Sequence, residues 1–310
     1  MAAPAAPLVA VVGPTASGKS ALALRLARDR AGEIVSCDSL QVYRGLDIGS
    51  AKPTPEERAA VRHHLVDVAD PDEPFSAARY ARLARAAVAD IAARGRLPVV
   101  AGGTGLYLRA LLQGLFEGPS RDEALRGRLE GAADRFGDAR LHRLLARVDA
   151  EAARRIAPPD RVRVVRALEV FRATGRPITE SHRKGSEPLR GFRTLLVGLD
   201  PGREALRTAV VARTRRMLEA GLVEEARRLV ARGLSLDRGP LASIGYRQAV
   251  AVVRGEISRD EAEGAIVAAT MRFAKRQRTW FRHQAEVRWY RDAEDCLSAV
   301  RAWLDAPLTP

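Results

Sequence analysis

The sequence has almost no lysine, only two cysteines and no long apolar run. Four of its 52 basic side chains are lysines (positions 19, 52, 184 and 275), so the formal charge of +14 rests on arginine. Such a composition is either a bias of the whole chain or the mark of a polyanionic partner. The second reading needs the arginines gathered on faces rather than spread evenly. Cys37 and Cys296 stand far apart without a Cys-x-x-Cys spacing, which argues against a disulfide framework or a thiolate zinc site and fits a reducing compartment. No apolar run approaches the roughly 18 residues that a membrane span needs. The opening MAAPAAPLVA lacks the basic start of a secretory signal and the arginines of a transit peptide. A cytoplasmic protein without a membrane segment is the expectation. Its 310 residues, 46% hydrophobic, are enough for one large or two modest folded domains.

What is present begins with GPTASGKS, Gly13 to Ser20, which fits G-x-x-x-x-G-K-[ST] at every fixed position. In such a loop Gly13 and Gly18 let the backbone turn so that the N–H groups that follow Pro14, those of Thr15, Ala16, Ser17, Gly18, Lys19 and Ser20, point inward. Lys19 adds a point charge and the Ser20 hydroxyl can hold Mg²⁺. The apolar run Leu8–Val12 before it reads as a buried strand. Leu22, Leu26 and Ala27 after it recur at helical spacing. Nucleotide hydrolases of this kind usually carry an Asp at the end of a later strand to support the metal. The obvious candidate, LPVVAGG, ends instead in Gly102-Gly103-Thr104, which weakens an ATPase reading.

Strand and helix alternate through the first third: EIVSCDS, the helical FSAARYARLARAAVADIAARG closed by Gly95, then LPVVAGG and another helix. This predicts a P-loop NTPase-like α/β fold with a parallel sheet. From about residue 120 the pattern turns helical and Arg-rich, broken at Pro158-Pro159 and Gly175-Arg176-Pro177. RTLLVGLD, Arg193 to Asp200, then restores a strand, and helices follow to the end. The expected organisation is a core of residues 1–119 and 191–310 interrupted by a helical insertion domain, 120–190.

CDSLQVYRGLDIGSAKP follows the second strand, so Asp38 should sit at the carboxyl edge of the sheet facing the phosphate loop, with Ser39 and Gln41 able to read a base edge. Asp38 could equally serve as a turn cap. His63 and His64 are adjacent in a strand and so point to opposite faces, which suits packing better than a shared metal. In RVRVVRALEVF, Arg163 and Arg166 fall on one helical face while Val165, Leu168 and Phe171 pack on others. In TMRFAKRQRTWFR, Arg272, Lys275, Arg276, Thr279 and Arg282 share one face, with Phe273, Gln277, Trp280 and Phe281 in another sector. The stretch contains no acid, unlike an ordinary solvated face, and favours contact with a nucleic-acid backbone.

Together GPTASGKS, DSLQVYRGLDIGSAKP, HHLVD, GGTGLYL, DRVRVVRALEV, SIGYRQ and FAKRQRTWFR resemble the tRNA dimethylallyltransferases (tRNA isopentenyl transferases), in that family's order from residue 13 to residue 282. Ser50 stands where the family usually has Thr, which preserves the hydroxyl. No zinc-finger extension of the eukaryotic type follows Arg282, as in the shorter bacterial form. The resemblance implies that the loop holds the leaving diphosphate of dimethylallyl diphosphate, stabilised by Lys19, Arg213 and Mg²⁺ on Ser20. Asp38 would accept the proton from the exocyclic N6 of the adenosine 3′-adjacent to the anticodon. Ser39, Leu40 and Gln41 would hold the flipped base. Thr104, Arg126, the segment Val162, Arg163, Val164, Val165 and Arg166, the stretch Gly245, Tyr246 and Arg247, and Lys275, Arg276, Gln277 and Arg282 would grip the tRNA anticodon stem-loop. The implied protein acts as a monomer. ATP is expected to compete for the cradle without productive hydrolysis. Two other classes share part of this pattern: a small-molecule kinase, which has no use for a basic RNA groove, and an adenylate isopentenyltransferase, which needs no Arg-rich helices. A non-enzymatic RNA-binding module would need neither Lys19 nor Asp38.

Overall fold

A computed structural model describes residues 5–116, 118–119, 122–183, 187–236 and 239–306. Six parallel strands, β1 (Ala6–Val12), β2 (Glu33–Cys37), β3 (His63–His64), β4 (Pro98–Gly102), β5 (Phe192–Leu199) and β6 (Arg288–Tyr290), lie in the order β3-β2-β4-β1-β5-β6. The mixed α/β fold with a parallel sheet is therefore as the sequence predicts. β6 lies in a region read from sequence as helices alone; three residues are too few to show a period.

β1 is apolar throughout because both its faces are covered. Val9 and Val11 pack with Leu22 and Leu26 of the helix Lys19–Asp29 and with Leu297 and Val300 of the helix Ala293–Asp305. Leu8, Ala10 and Val12 face Tyr80, Val88 and Ile91 of the helix Ala77–Ala93, and Phe281. A side-chain period of two thus divides one strand between two cores.

Register decides where chemistry can sit. Val12 of β1 pairs with Gly102 of β4 and Gly198 of β5, and Gly102 also pairs with Cys37 of β2. The four strands end level, so the segments that follow (Gly13–Gly18, Asp38, Gly103-Thr104 and Asp200) emerge along one edge. In open α/β sheets that carboxyl edge is where ligands bind.

A third apolar cluster joins Val42, Tyr43 and Leu46 to Leu222, Leu229, Tyr246 and Ile266, which fastens the segment after β2 to the later helices. The chain divides into two compact units, residues 1–112 with 189–310, and residues 113–188. The sequence reading set the division at 120 and 190; Ser120 and Lys184 lie outside the described residues. The second unit is built of the helices Glu123–Phe136, Asp138–Val148, Ala150–Arg155, Arg161–Thr174 and Ile178–Arg183. It has its own core around Leu141, Leu145, Val164, Val165 and Leu168. Among the described residues no helix is long and apolar enough to cross a membrane.

Candidate active site

The phosphate loop takes a backbone path that its residues only partly prefer. Gly13 has φ 145°, and a Cβ there would fall 2.5 Å from the Leu199 carbonyl oxygen of β5, while Gly18 has φ 90°. Ala16, between them, holds φ 64°, a left-handed conformation costly for a residue with a side chain. Lys19 opens the helix and folds back so that Nζ donates to the Pro14 carbonyl at 3.1 Å. Across the loop Arg213, on the helix Arg203–Glu219, donates from Nη1 to Thr15 Oγ1 at 3.0 Å.

The cations here are short of solvation. Burial first, and the Arg213 charge second, push the Lys19 ammonium down to about 8, against the pull of Asp38 and Cys37. Burial likewise lowers Arg213, opposed by Asp38. Two desolvated positive groups that repel each other are a site waiting for an anion.

Asp38 serves the turn and keeps a free oxygen. Its Oδ1 accepts from the Leu40 N–H at 2.9 Å and the Gln41 N–H at 3.4 Å; among the described residues nothing donates to Oδ2. The capping reading of Asp38 is thus observed, and it leaves half the carboxylate available. The Ser39 N–H donates to Thr104 Oγ1 at 3.1 Å, and the Thr104 N–H to the Cys37 carbonyl at 3.1 Å. β4 must end in glycine for this contact: a Cβ on Gly102 would fall 2.1 Å from the Cys37 oxygen. Burial pushes the Cys37 and Cys296 thiols up to about 12, and neither is in a disulfide.

Metal support is sparse. The Ser20 hydroxyl, exposed on the first helical turn, carries no hydrogen bond, and among the described residues no group of three His, Cys, Asp or Glu side chains could hold an ion. One protein hydroxyl fits Mg²⁺, which keeps most of its waters and takes other oxygens from a phosphate ligand. A strand-end acid does exist at Asp200 after β5. Its Oδ2 lies 3.3 Å from Arg282 and 3.7 Å from Arg278, which commits it to arginine. His63 Nδ1 meets the Val61 carbonyl at 2.7 Å and His64 Nε2 meets Glu33 at 2.7 Å, separate partners on separate faces.

A model of the IPP transferase family matches residues 41–284. The chain belongs to this family. It is 50% identical to the tRNA dimethylallyltransferase of Koribacter versatilis over 94% of this chain and 95% of that one. Against the enzyme of the same name in Solibacter usitatus it is 52% identical over 92% and 93%. The solved tRNA isopentenylpyrophosphate transferase of Bacillus halodurans superposes with a TM-score of 0.69 at 38% identity, covering 96% of this chain and 95% of that chain.

GPTASGKS, Asp38 and Gly103-Thr104 lie at the sheet edge, but several residues expected to touch RNA are occupied inside the protein. Val164 and Val165 lie in the core of the second unit, because the helix turns them away from Arg163. Tyr246 is fully buried, its ring so close to Gly49 that a Cβ there would fall 2.5 Å away. Gly245 is also buried. Gln277 is 7% exposed, with Nε2 donating to the Gly103 carbonyl at 2.9 Å and Oε1 accepting from the Thr15 N–H at 2.8 Å. The Gln41 amide turns inward to Ser36 and to the Ser50 and Ala51 carbonyls. Leu40 is half-buried against the third cluster. Arg126 and Arg166 converge on buried Glu169, at 3.0 and 2.6 Å. Burial alone would raise the Glu169 carboxyl, yet Arg126 and Arg166 hold it down at about 2. Ser39, Val162, Arg163, Arg247, Arg272, Lys275, Arg276, Thr279 and Arg282 are exposed. Phe273, which its spacing puts in the sector of Gln277, Trp280 and Phe281, is exposed beneath the Arg276 guanidinium, unlike buried Gln277 and Phe281.

Sequence reasoning missed Glu225. This carboxylate, 2% exposed, accepts from the N–H groups of Asp47, Ile48 and Gly49 and from the Tyr246 hydroxyl. It occupies the buried phase of a helix with Leu222, Ala226 and Leu229. A charge at an apolar phase was the available signal. Lys52 is the other: its ammonium bonds to the Tyr43 carbonyl, Asp47 and Asp67, which ties the same loop to the segment at 67.

Proposed function

We propose that the chain transfers the dimethylallyl group of dimethylallyl diphosphate to the exocyclic N6 of the adenosine 3′-adjacent to the anticodon of tRNA, releasing diphosphate. The observation that carries this reading is the meeting of an anion cradle, two desolvated cations and a half-free carboxylate at one sheet edge. The loop N–H groups, Lys19 and Arg213 take up the negative charge that gathers as the allylic C1–O bond breaks. N6 attacks C1, and the proton it sheds passes to Asp38 Oδ2. The Ser20 hydroxyl and the diphosphate oxygens would hold Mg²⁺, which when bound supplies further charge to the leaving group. The adenine must first leave the anticodon-loop stack. Ser39 and Thr104 stand beside Asp38 to hold it. Arg247, Lys275, Arg276 and Arg282 in the first unit, and Arg163 in the second, supply exposed charge for the RNA backbone. On this reading the protein works as a monomer in the cytoplasm.

The test mixes purified protein, Mg²⁺, tRNA and dimethylallyl diphosphate and follows pyrophosphate and modified adenosine together. One-to-one appearance without nucleotide is expected. ADP formed from ATP with a small acceptor would return the loop to the kinases, and prenylation of free AMP without RNA would identify an adenylate isopentenyltransferase.

A further inference from the structure

We infer that Gln277 is a positioning residue for the phosphate loop: its amide fixes Thr15, and through Thr15 the Arg213 guanidinium, from the helix that carries the exposed basic face. Thr15 N–H can only donate and the Gly103 carbonyl can only accept, so a single amide orientation satisfies both bonds, at 2.8 and 2.9 Å. Gly103 is glycine for the sake of this approach. A Cβ there would fall 2.2 Å from Gln277 Nε2. One turn on, Trp280 lies against Gly105, where a Cβ would come within 2.3 Å of the indole, and Phe281 is buried in the sheet core. The helix Arg259–Gln284 is therefore locked to the end of β4 at consecutive turns, and its outer residues Lys275, Arg276 and Thr279 move with it.

Two consequences follow for the loop. The Thr15 N–H is committed to Gln277, so it is not among the donors left for a diphosphate; those come from later in the loop. Thr15 Oγ1 is held where Arg213 Nη1 donates to it at 3.0 Å. One buried glutamine thus sets a backbone segment and a cation that the diphosphate would need, from the element best placed to sense bound RNA.

The inference rests on the reading of the loop as a diphosphate site, and its test separates the two. Inorganic pyrophosphate is titrated calorimetrically into the full-length protein and into Gln277→Met, which keeps the length of the side chain without its polar atoms. Anticodon stem-loop affinity and steady-state constants are measured on both. The wild type should bind pyrophosphate. The variant should bind it about tenfold more weakly, with a matching rise in KM for dimethylallyl diphosphate, the scale of one lost buried hydrogen bond. Its stem-loop Kd should stay within about twofold of wild type, since no RNA contact has been removed. Unchanged pyrophosphate binding in the variant overturns the inference, and so does an equal loss of RNA affinity. A wild type that binds stem-loop but no pyrophosphate overturns the diphosphate reading and this inference with it. Amide hydrogen exchange on the wild type needs no variant to fold. The Thr15 amide should be protected in the free protein, whereas the amides of 18–20 gain protection only with pyrophosphate. A fast-exchanging Thr15 amide overturns the inference.

Discussion

Positive charge is used in two ways in this molecule. At the phosphate loop it is scarce and half-buried. Lys19 and Arg213 are both weakened as cations by burial, and each is tied by a hydrogen bond to the loop it serves. On the outer face of the helix Arg259–Gln284 it is abundant and wet, with Arg272, Lys275, Arg276 and Arg282 open to solvent. Desolvated charge acts strongly over a few ångströms and is poised to change with its ligand. Solvated charge acts weakly per residue, additively and under the control of salt. The first arrangement suits a bond that breaks at one place, the second a long polyanion that must be held and released.

Asp38 is the acid that stands among these cations. Asp38→Asn keeps both turn bonds through its amide oxygen and should lower single-turnover prenyl transfer by about 10² to 10⁴ while stem-loop and pyrophosphate affinities hold. Near-normal turnover would reduce Asp38 to its capping role. Next is Lys19→Ala, expected to cost on the order of 10²-fold in transfer. Because burial has lowered the Lys19 ammonium to about 8, it loses its proton as pH rises through that value. Pyrophosphate affinity of the free protein should therefore fall between pH 7 and 9, and the fall should vanish in Lys19→Ala. A flat profile in the wild type would deny Lys19 its part in the cradle.

The solvated side is sharpened by salt. Stem-loop binding should weaken steeply with ionic strength, and Arg276→Ala or Arg163→Ala should each lower the slope of log K against log salt by about 0.7 to 0.9. Slopes unchanged in both variants would remove these faces from the interface. The smallest effect concerns the second unit alone. Glu169, held at about 2 by Arg126 and Arg166, gives stability that is complete above its ordinary value of 4.5 and is lost as pH falls toward 2. The melting temperature should drop across that window in the wild type and more shallowly in Glu169→Gln. Parallel profiles would show that this cluster contributes nothing.

Much of this was legible because periodicity and punctuation are local. Leu8–Val12, GPTASGKS, the helices and the parallel sheet follow from patterns a few residues long. The exposed face of the helix Arg259–Gln284 follows from its spacing. What escaped was whatever depended on a partner distant in sequence. Gln277 sits among arginines and reads as one more polar side chain, yet its partners are Thr15 and Gly103, more than 170 residues away. Val164 and Val165 share a motif with Arg163 but not its face, and a motif carries no statement of which way each residue points. Glu225 and Lys52 both hold Asp47, and neither signals the other in the sequence. β6 is three residues long and owes its existence to the edge of β5.

The Glu225 carboxylate has a consequence beyond its place in the packing. Three successive amides at residues 47–49 converge on it as amides of a phosphate loop converge on a ligand. The 47–49 segment is thus an anion receptor plugged by the protein's own side chain. A carboxylate tethered to the chain leaves no vacancy for a dissolved anion, so the shape of the turn at 47–49 does not depend on any solute.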